Sequence, residues 1–150
     1  MKTDPARVAR AAAAAAAGPD QAAALVETFP NPNRERDYRI DITAPEWTAL
    51  CPITGQPDFA TIRVTYAPEE VCLELKSFKI YIHSFRNRGV FHEAVTNEIL
   101  DHLLKSCRPR RMRVVGEFAV RGGVSTVVTA EFPELGAFGE DPPDDTLQPA

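Results

Sequence analysis

The chain has 150 residues, 44% of them apolar and 25% charged, with a net charge of −4 and a pI near 5.4. That length suits one domain with a proper core, and the acidic balance speaks against general nucleic-acid binding. No apolar run is long enough to span a membrane, and three cysteines without metal-type spacing fit neither a disulfide framework nor a zinc site, so a reducing cytoplasm is the expected compartment.

Residues 1–24 are an alanine-rich arm. Lys2, Arg7 and Arg10 precede Ala11–Ala17 in the outline of a secretory signal, but alanine is a weak substitute for the leucine-rich centre of such signals. A frayed helix or a disordered arm is expected instead. The folded domain is expected over residues 25–133. It opens with Phe29-Pro30-Asn31-Pro32-Asn33, a turn or extended entry. Tyr38, Ile40 and Ile42 then alternate with Arg39, Asp41 and Thr43, the two-residue period of a half-buried strand. A loop follows at Cys51-Pro52-Ile53-Thr54-Gly55-Gln56-Pro57-Asp58, where proline and glycine disfavour both helix and strand. Ile62, Val64 and Tyr66 mark a second strand, Ala67-Pro68-Glu69-Glu70 turns the chain, and Val71–Leu75 is a third extended piece.

The period then changes. Phe78, Tyr81, Ile82 and Phe85 fall at i, i+3, i+4 and i+7, the apolar stripe of a helix. Ser77 is its expected N-cap and Gly89 its left-handed C-terminal residue. A second helix is predicted from Phe91 to Lys105, with Val95, Ile99, Leu100, Leu103 and Leu104 as its stripe. Arg113–Val120 and Val124–Phe132 read as strands around a tight bend or bulge at Arg121-Gly122-Gly123. Residues 134–150 are an acidic, proline-rich tail, expected to be loose. Strands, two helices, then strands is an α+β plan, with the helices covering one face of an antiparallel sheet.

Chemistry gathers at a few positions. Cys51 and Asp58 stand at the two ends of their loop, which can fold back and bring them together. A thiolate presented by a loop is a nucleophile, and a carboxylate beside it can take or return a proton. The alternative is a half-buried cysteine beside a turn aspartate. Lys76, Lys79, His83 and Arg86 share a face of the first helix; with the free N–H groups at its start they suit a phosphate, and otherwise they form a solvated basic face. At the start of the second helix, Glu93 either favours the dipole or holds the adjacent N–H donors of a guanine-like ring, and His92 takes a helix-terminal structural role. Arg121-Gly122-Gly123 offers a cation and close backbone approach, or is a plain hairpin turn. Cys72 and Cys107 are expected to be partly buried thiols, Glu98 and Asp101 helix surface, and Arg108, Arg110, Arg111 and Arg113 a solvated loop.

In this order the pieces form a specific pattern: Cys51–Asp58 with Phe59-Ala60-Thr61, the octet Glu74-Leu75-Lys76-Ser77-Phe78-Lys79-Ile80-Tyr81, Ser84-Phe85-Arg86-Asn87, Phe91-His92-Glu93, and Arg121-Gly122-Gly123. Over Phe29 to Val124 it resembles the short, single-module form of the NADPH-dependent 7-cyano-7-deazaguanine reductases, the QueF type, nitrile reductases of queuosine biosynthesis. The resemblance implies that Cys51 is the nucleophile forming a covalent thioimide and Asp58 the proton donor. It also implies that Leu73, Glu74, Leu75, His92 and Glu93 contact substrate. Leu75, Lys76, Arg121 and Gly122 resemble cofactor contacts, and Lys79, in the same signature, is a phosphate partner for NADPH. No Rossmann glycine motif is present, which agrees with the tunnelling fold (T-fold) of that family: a four-stranded antiparallel sheet with two helices on one face, in the order ββααββ. Such subunits assemble into stacked rings with active sites between neighbours, so a homo-oligomer is implied. Val120 and Leu75 depart from the pattern, which often has proline and serine there. The rivals are a pterin- or purine-acting hydrolase of the same fold, disfavoured by the lack of a metal-ligand cluster in the sequence, and a ring-forming purine-binding module without catalysis.

Overall fold

The computed structural model describes residues 4–139; the Glu140–Asp145 part of the acidic tail lies outside them. In chain order the elements are α1 (Pro5–Ala17), α2 (Pro19–Ala23), β1 (Thr28–Pro30), β2 (Ile40–Leu50), β3 (Pro57–Ala67), β4 (Val71–Leu73), α3 (Leu75–His83), a 3-10 turn (Ser84–Asn87), α4 (His92–Cys107), β5 (Arg111–Arg121) and β6 (Val124–Phe132). Two antiparallel hairpins, β2–β3 and β5–β6, join through β3 and β5 into a sheet of order β2-β3-β5-β6. The expected third extended piece is β4, which ends at Leu73 and pairs with β1 in a separate two-stranded sheet. The α+β class and the antiparallel sheet are as anticipated, with β1 and β4 paired outside the four-stranded sheet.

Alternation decides which side chains are buried, because successive strand residues point to opposite faces. On β3 the even residues Ala60, Ile62, Val64 and Tyr66 face the helices, and on β5 Met112, Val114, Gly116 and Phe118 do the same. β2 starts in that phase with Ile40, Ile42 and Ala44, then changes it. Ala44 pairs with Ile62 but Trp47 pairs with Ala60, so one extra residue sits at Pro45-Glu46. This bulge hands the buried face to the odd residues Trp47 and Ala49. Proline is tolerated there because β2 is an edge strand and a bulge needs no ladder donor at that point. In the sequence the alternation is legible only to Thr43, because Pro45 interrupts it.

The helix stripes are buried as predicted, Phe78, Tyr81, Ile82 and Phe85 from α3 and its 3-10 turn and Val95, Ile99, Leu100 and Leu103 from α4, with Leu104 half-buried at the edge of the core. Two cap assignments are corrected. Glu74, not Ser77, is the N-cap of α3; its carboxylate accepts from the N–H groups of Lys76 and Ser77. Ser77 sits one turn inside and accepts from the Glu27 N–H at 2.8 Å. Gly89 is not left-handed; the positive φ belongs to Arg108 at the end of α4. The arginine cluster is not a solvated loop either. Arg111 opens β5 and pairs with Asp37 at 3.1 Å, Arg110 pairs with Glu69 at 3.1 Å, and Arg113 is buried. Cys72 and Cys107 are fully rather than partly buried, and burial pushes the Cys107 thiol up to about 12. Glu98 is more than helix surface, since it pairs with Arg88. The alanine-rich segment forms α1 and α2 and meets the domain: Ala22 lies in the core, and Arg7 pairs with Glu27 at 2.6 Å. No described helix is long and apolar enough to cross a membrane.

Candidate active site

The two bulges aim the site. Asp58 is an even residue of β3, faces the helices and is 6% exposed. It pairs with Ala49 across the hairpin, on the face that the first bulge assigned to odd residues of β2. Cys51 continues that odd series just beyond the strand. A second irregularity lies on β5, where Phe118 pairs with Thr126 but Arg121 pairs with Val124. One extra residue again changes the phase, and Arg121 turns to the same face as Asp58. The Gly122-Gly123 turn that follows has φ of 56° and 77°, the positive values that a tight two-residue hairpin demands and glycine supplies without strain.

The thiol loop is narrower than Cys51–Asp58, because Pro57 and Asp58 already belong to β3. The Cys51 N–H donates to the Gln56 carbonyl at 2.8 Å and the Gly55 N–H donates to the Cys51 carbonyl at 2.9 Å. Cys51 is half-buried and unpaired. Its thiol pKa lies below the ordinary value, first because the Thr54 hydroxyl hydrogen-bonds the sulfur, then because the Thr54 and Ile53 N–H groups point at it; the Asp58 charge opposes this. Such a turn stabilises the thiolate, the reactive form.

The segment before α4 closes the second side. The Leu50 N–H donates to the Arg88 carbonyl at 2.9 Å and the Val90 N–H donates to the Leu50 carbonyl at 3.1 Å. Gly89 packs against the thiol loop here: a Cβ on it would lie in ordinary contact, 3.4 Å from the Pro52 Cα and 3.7 Å from the Pro52 Cβ. That contact sets the N-terminus of α4 beside the thiol loop. His92, its first residue, places Nε2 3.5 Å from Asp58 Oδ2. From the other side Arg121 Nη1 lies 3.1 Å from Asp58 Oδ1, and Nη2 donates to the Pro57 carbonyl. Asp58 is thus held between an imidazole and a guanidinium, two hairpin rungs from Cys51 and on the same face.

Cys51, Asp58, His92 and Arg121 therefore share one corner. Glu93 is exposed in the first turn of α4, and Gly122 forms the hairpin tip next to Arg121. The other sequence-derived positions sit on β4 and α3, and no hydrogen bond or ion pair joins them to that corner among the described residues. Leu73 is buried, and its N–H donates to the Tyr66 hydroxyl at 2.9 Å. Burial raises the Glu74 pKa, but the hydrogen bonds from Ser77 and Lys76 outweigh it and hold the carboxyl below its ordinary value. Leu75 is 57% exposed. Lys76 and Lys79 are exposed and form no ion pair among the described residues, on the same face as His83 and Arg86. Lys79 also borders an apolar groove of ≈ 280 Å³ between α3 and the β2 bulge.

Three contributors escaped the sequence reading. Thr54 was one polar residue of a turn. Phe118 stacks on His92, with centroids 3.8 Å apart and planes at 6°, but in sequence it is one apolar residue of a strand. Gly116 is a glycine inside a buried strand, a signal of close packing that can be read in advance. Away from the corner, Asp20, Glu98 and His102 have ligand atoms within 4.8 Å of one another, and the Arg88 guanidinium already pairs with Glu98.

A family model described as QueF-like protein matches residues 57–136. The NADPH-dependent 7-cyano-7-deazaguanine reductase of Magnetococcus marinus is 60% identical over 108 residues, covering 72% of this chain and 84% of that protein. The protein of the same name from Nitrosococcus oceani is 57% identical over 118 residues, covering 79% and 92%. Among solved structures, the archaeosine synthase QueF-Like in the apo form superposes with a TM-score of 0.56 at 26% identity, over 63% of this chain and 90% of that one.

Proposed function

The chain belongs to the QueF-like family, and from that premise we infer that it reduces the nitrile of 7-cyano-7-deazaguanine to a primary amine with NADPH, a reaction of queuosine biosynthesis. In our reading the Cys51 thiolate adds to the nitrile carbon. The C–S bond forms as one C≡N π bond opens toward nitrogen, and the nitrogen takes a proton from Asp58 to give a thioimide. The observation that carries this is the corner itself: a thiol held below its ordinary pKa by Thr54, two hairpin rungs from a buried carboxylate flanked by His92 and Arg121. NADPH supplies the two hydrides, one from each of two molecules.

The residues present fit such a polyanionic cofactor. Lys76 and Lys79 are exposed cations without ion-pair partners among the described residues, and Arg121 and Gly122 occupy a hairpin tip whose backbone is open. In this reading Lys79 meets a phosphate, while Lys76, Leu75, Arg121 and Gly122 complete the cofactor contacts. Glu93 anchors the pyrimidine edge of the substrate through its free carboxylate, beside His92. Glu74 is occupied as a helix cap, so it and Leu73 offer backbone and position rather than a free side chain, and Leu75 offers an exposed apolar surface.

We assign the chain to the tunnelling fold, whose ββααββ order is supported by the two hairpins flanking α3 and α4. The assembly is a homo-oligomer of stacked rings with active sites between neighbours. Ile53, Phe59, Phe91 and Val120 adjoin the corner in sequence and are all more than half exposed, an apolar rim that a second subunit would cover. The cytoplasm is the proposed compartment, consistent with three free thiols.

The test is an intact-mass spectrum of the protein with the nitrile and no NADPH, beside Cys51→Ala. A mass gain of one nitrile, absent in the variant and removed by NADPH, is the expected result. Full turnover by Cys51→Ala would end the covalent mechanism. Binding of the compound without mass gain would leave a purine-binding module.

A further inference from the structure

We propose that Phe118 is a positioning residue for the reaction: its ring holds the His92 imidazole in the plane that points Nε2 at Asp58. The inference rests on the reading of Cys51, Asp58 and His92 as the reacting corner. Little else fixes that imidazole. His92 is the first residue of α4, its side chain is 28% exposed, and rotation about the bond to a flat ring is soft. Its nearest polar partner is Asp58 Oδ2 at 3.5 Å, beyond an ordinary strong hydrogen bond. By contrast, the Phe118 ring lies flat against it at 3.8 Å and 6°. A flat stack covers one face of the imidazole and leaves both ring nitrogens at the free edge, where a proton can pass to or from a carboxylate.

Phe118 is itself immobilised, as a positioning residue must be. It is buried, and Trp47 meets it edge-on at 5.9 Å and 87°. Its ring folds back along β5 over Gly116. A Cβ on Gly116 would lie 2.7 Å from Phe118 Cε2, 2.9 Å from Phe118 Cζ and 2.8 Å from Thr96 Oγ1. Gly116 has no positive φ, so the conformational freedom of glycine is not used; what is used is the missing side chain. A glycine inside a strand gives up stability, and here it opens the slot that the ring fills. Thr96 closes the far side, with its hydroxyl donating to the His92 carbonyl at 2.9 Å. Trp47, Phe118, Gly116 and Thr96 thus form a seat for the imidazole beside Asp58.

The experiment compares Phe118→Leu, Phe118→Tyr, Gly116→Ala and His92→Asn in the full-length protein. Turnover with nitrile and NADPH is measured together with the imidazole proton spectrum. The chain has three histidines, and the His92 signals are those missing in His92→Asn. In the unaltered protein they should be shifted upfield by the stacked ring. Phe118→Leu should abolish that shift and lower kcat about ten- to a hundredfold, as loss of alignment does, with KM for the nitrile within about twofold. Phe118→Tyr, which keeps a flat ring, should retain the shift and most of kcat. Gly116→Ala gives a second route should Phe118→Leu not fold, since its methyl displaces the ring and should reproduce both changes. A variant that loses the upfield shift yet keeps kcat overturns the proposal, and so does an equal loss in Phe118→Leu and Phe118→Tyr, which marks a packing role alone. Unchanged kcat in His92→Asn removes the reading of the corner, separately from any result at Phe118.

Discussion

Thr54 has a consequence for pH at the scale of the single residue. Its hydroxyl donates to the Cys51 sulfur and is the largest influence holding that thiol below its ordinary pKa of 9.0. A lower thiol pKa means that thiolate persists to lower pH, so removing the donor must move the rising limb of adduct formation upward. Thr54→Val should therefore shift the limb of the adduct-forming rate, followed by mass without NADPH, toward higher pH, while Thr54→Ser leaves it in place. A limb that stays put in Thr54→Val would show that the backbone N–H groups of Ile53 and Thr54 suffice. Asp58→Asn keeps the shape of the side chain and removes the acid, so it should lower kcat by roughly two to four orders of magnitude and leave nitrile binding largely intact. Measuring binding and turnover side by side checks both halves. Lys79→Ala should weaken NADPH more than nitrile, and equal weakening of both would contradict a phosphate role. Cys51 and Asp58 could be read from sequence because proline and glycine announce a shaped loop around reactive groups. Thr54 and Phe118 could not, because their partners are set by loop closure and by a strand far along the chain.

Elements carry a different kind of information. The apolar stripes of α3 and α4 were legible because a helix repeats its pattern over several turns and nothing in between resets it. The bulges were not, since one inserted residue resets the phase, and at Pro45 that reset looks like the end of a strand. Yet the bulge on β2 is what puts Trp47, Ala49 and Cys51 on the buried face. The cap of α3 was misplaced for a related reason: glutamate is a rare N-cap, and serine a common one. With Glu74 as the cap, Glu74→Ala should cost about 1 kcal/mol, the usual worth of a lost cap, seen as a lower Tm at neutral pH. The pH dependence follows from the depressed pKa. A carboxyl held below its unfolded value of 4.5 contributes stability that is fully present above that value. The contribution is lost as pH falls through the folded value, so the difference between the two proteins should shrink in acid. A gap in Tm that is the same on both sides of pH 4.5 would argue that Glu74 acts through packing instead.

At the scale of the whole molecule the question is what covers the corner and the sheet ends. Among the described residues β2 and β6 are both edge strands of the four-stranded sheet, β2 being tied at Leu50 to the Arg88–Val90 segment, and such edges invite pairing unless something blunts them. β6 is not blunted: Val124 and Val127 are 67% and 64% exposed. Periodicity describes one subunit and is silent on its neighbours, so assembly could be anticipated only from family likeness. A lysine on an edge strand is a standard obstacle to pairing, and Val127 lies on the outer face of β6, away from the core residue Ala130 and from Arg121. Val127→Lys should therefore leave the subunit folded while lowering the assembled mass seen by light scattering. If the corner is completed by a neighbour, nitrile-adduct formation at Cys51 should fall in step with the assembled fraction and recover at higher protein concentration, as mass action requires. Dispersed subunits that still form the adduct at the full rate would show that Cys51, Asp58, His92 and Arg121 from one chain are sufficient.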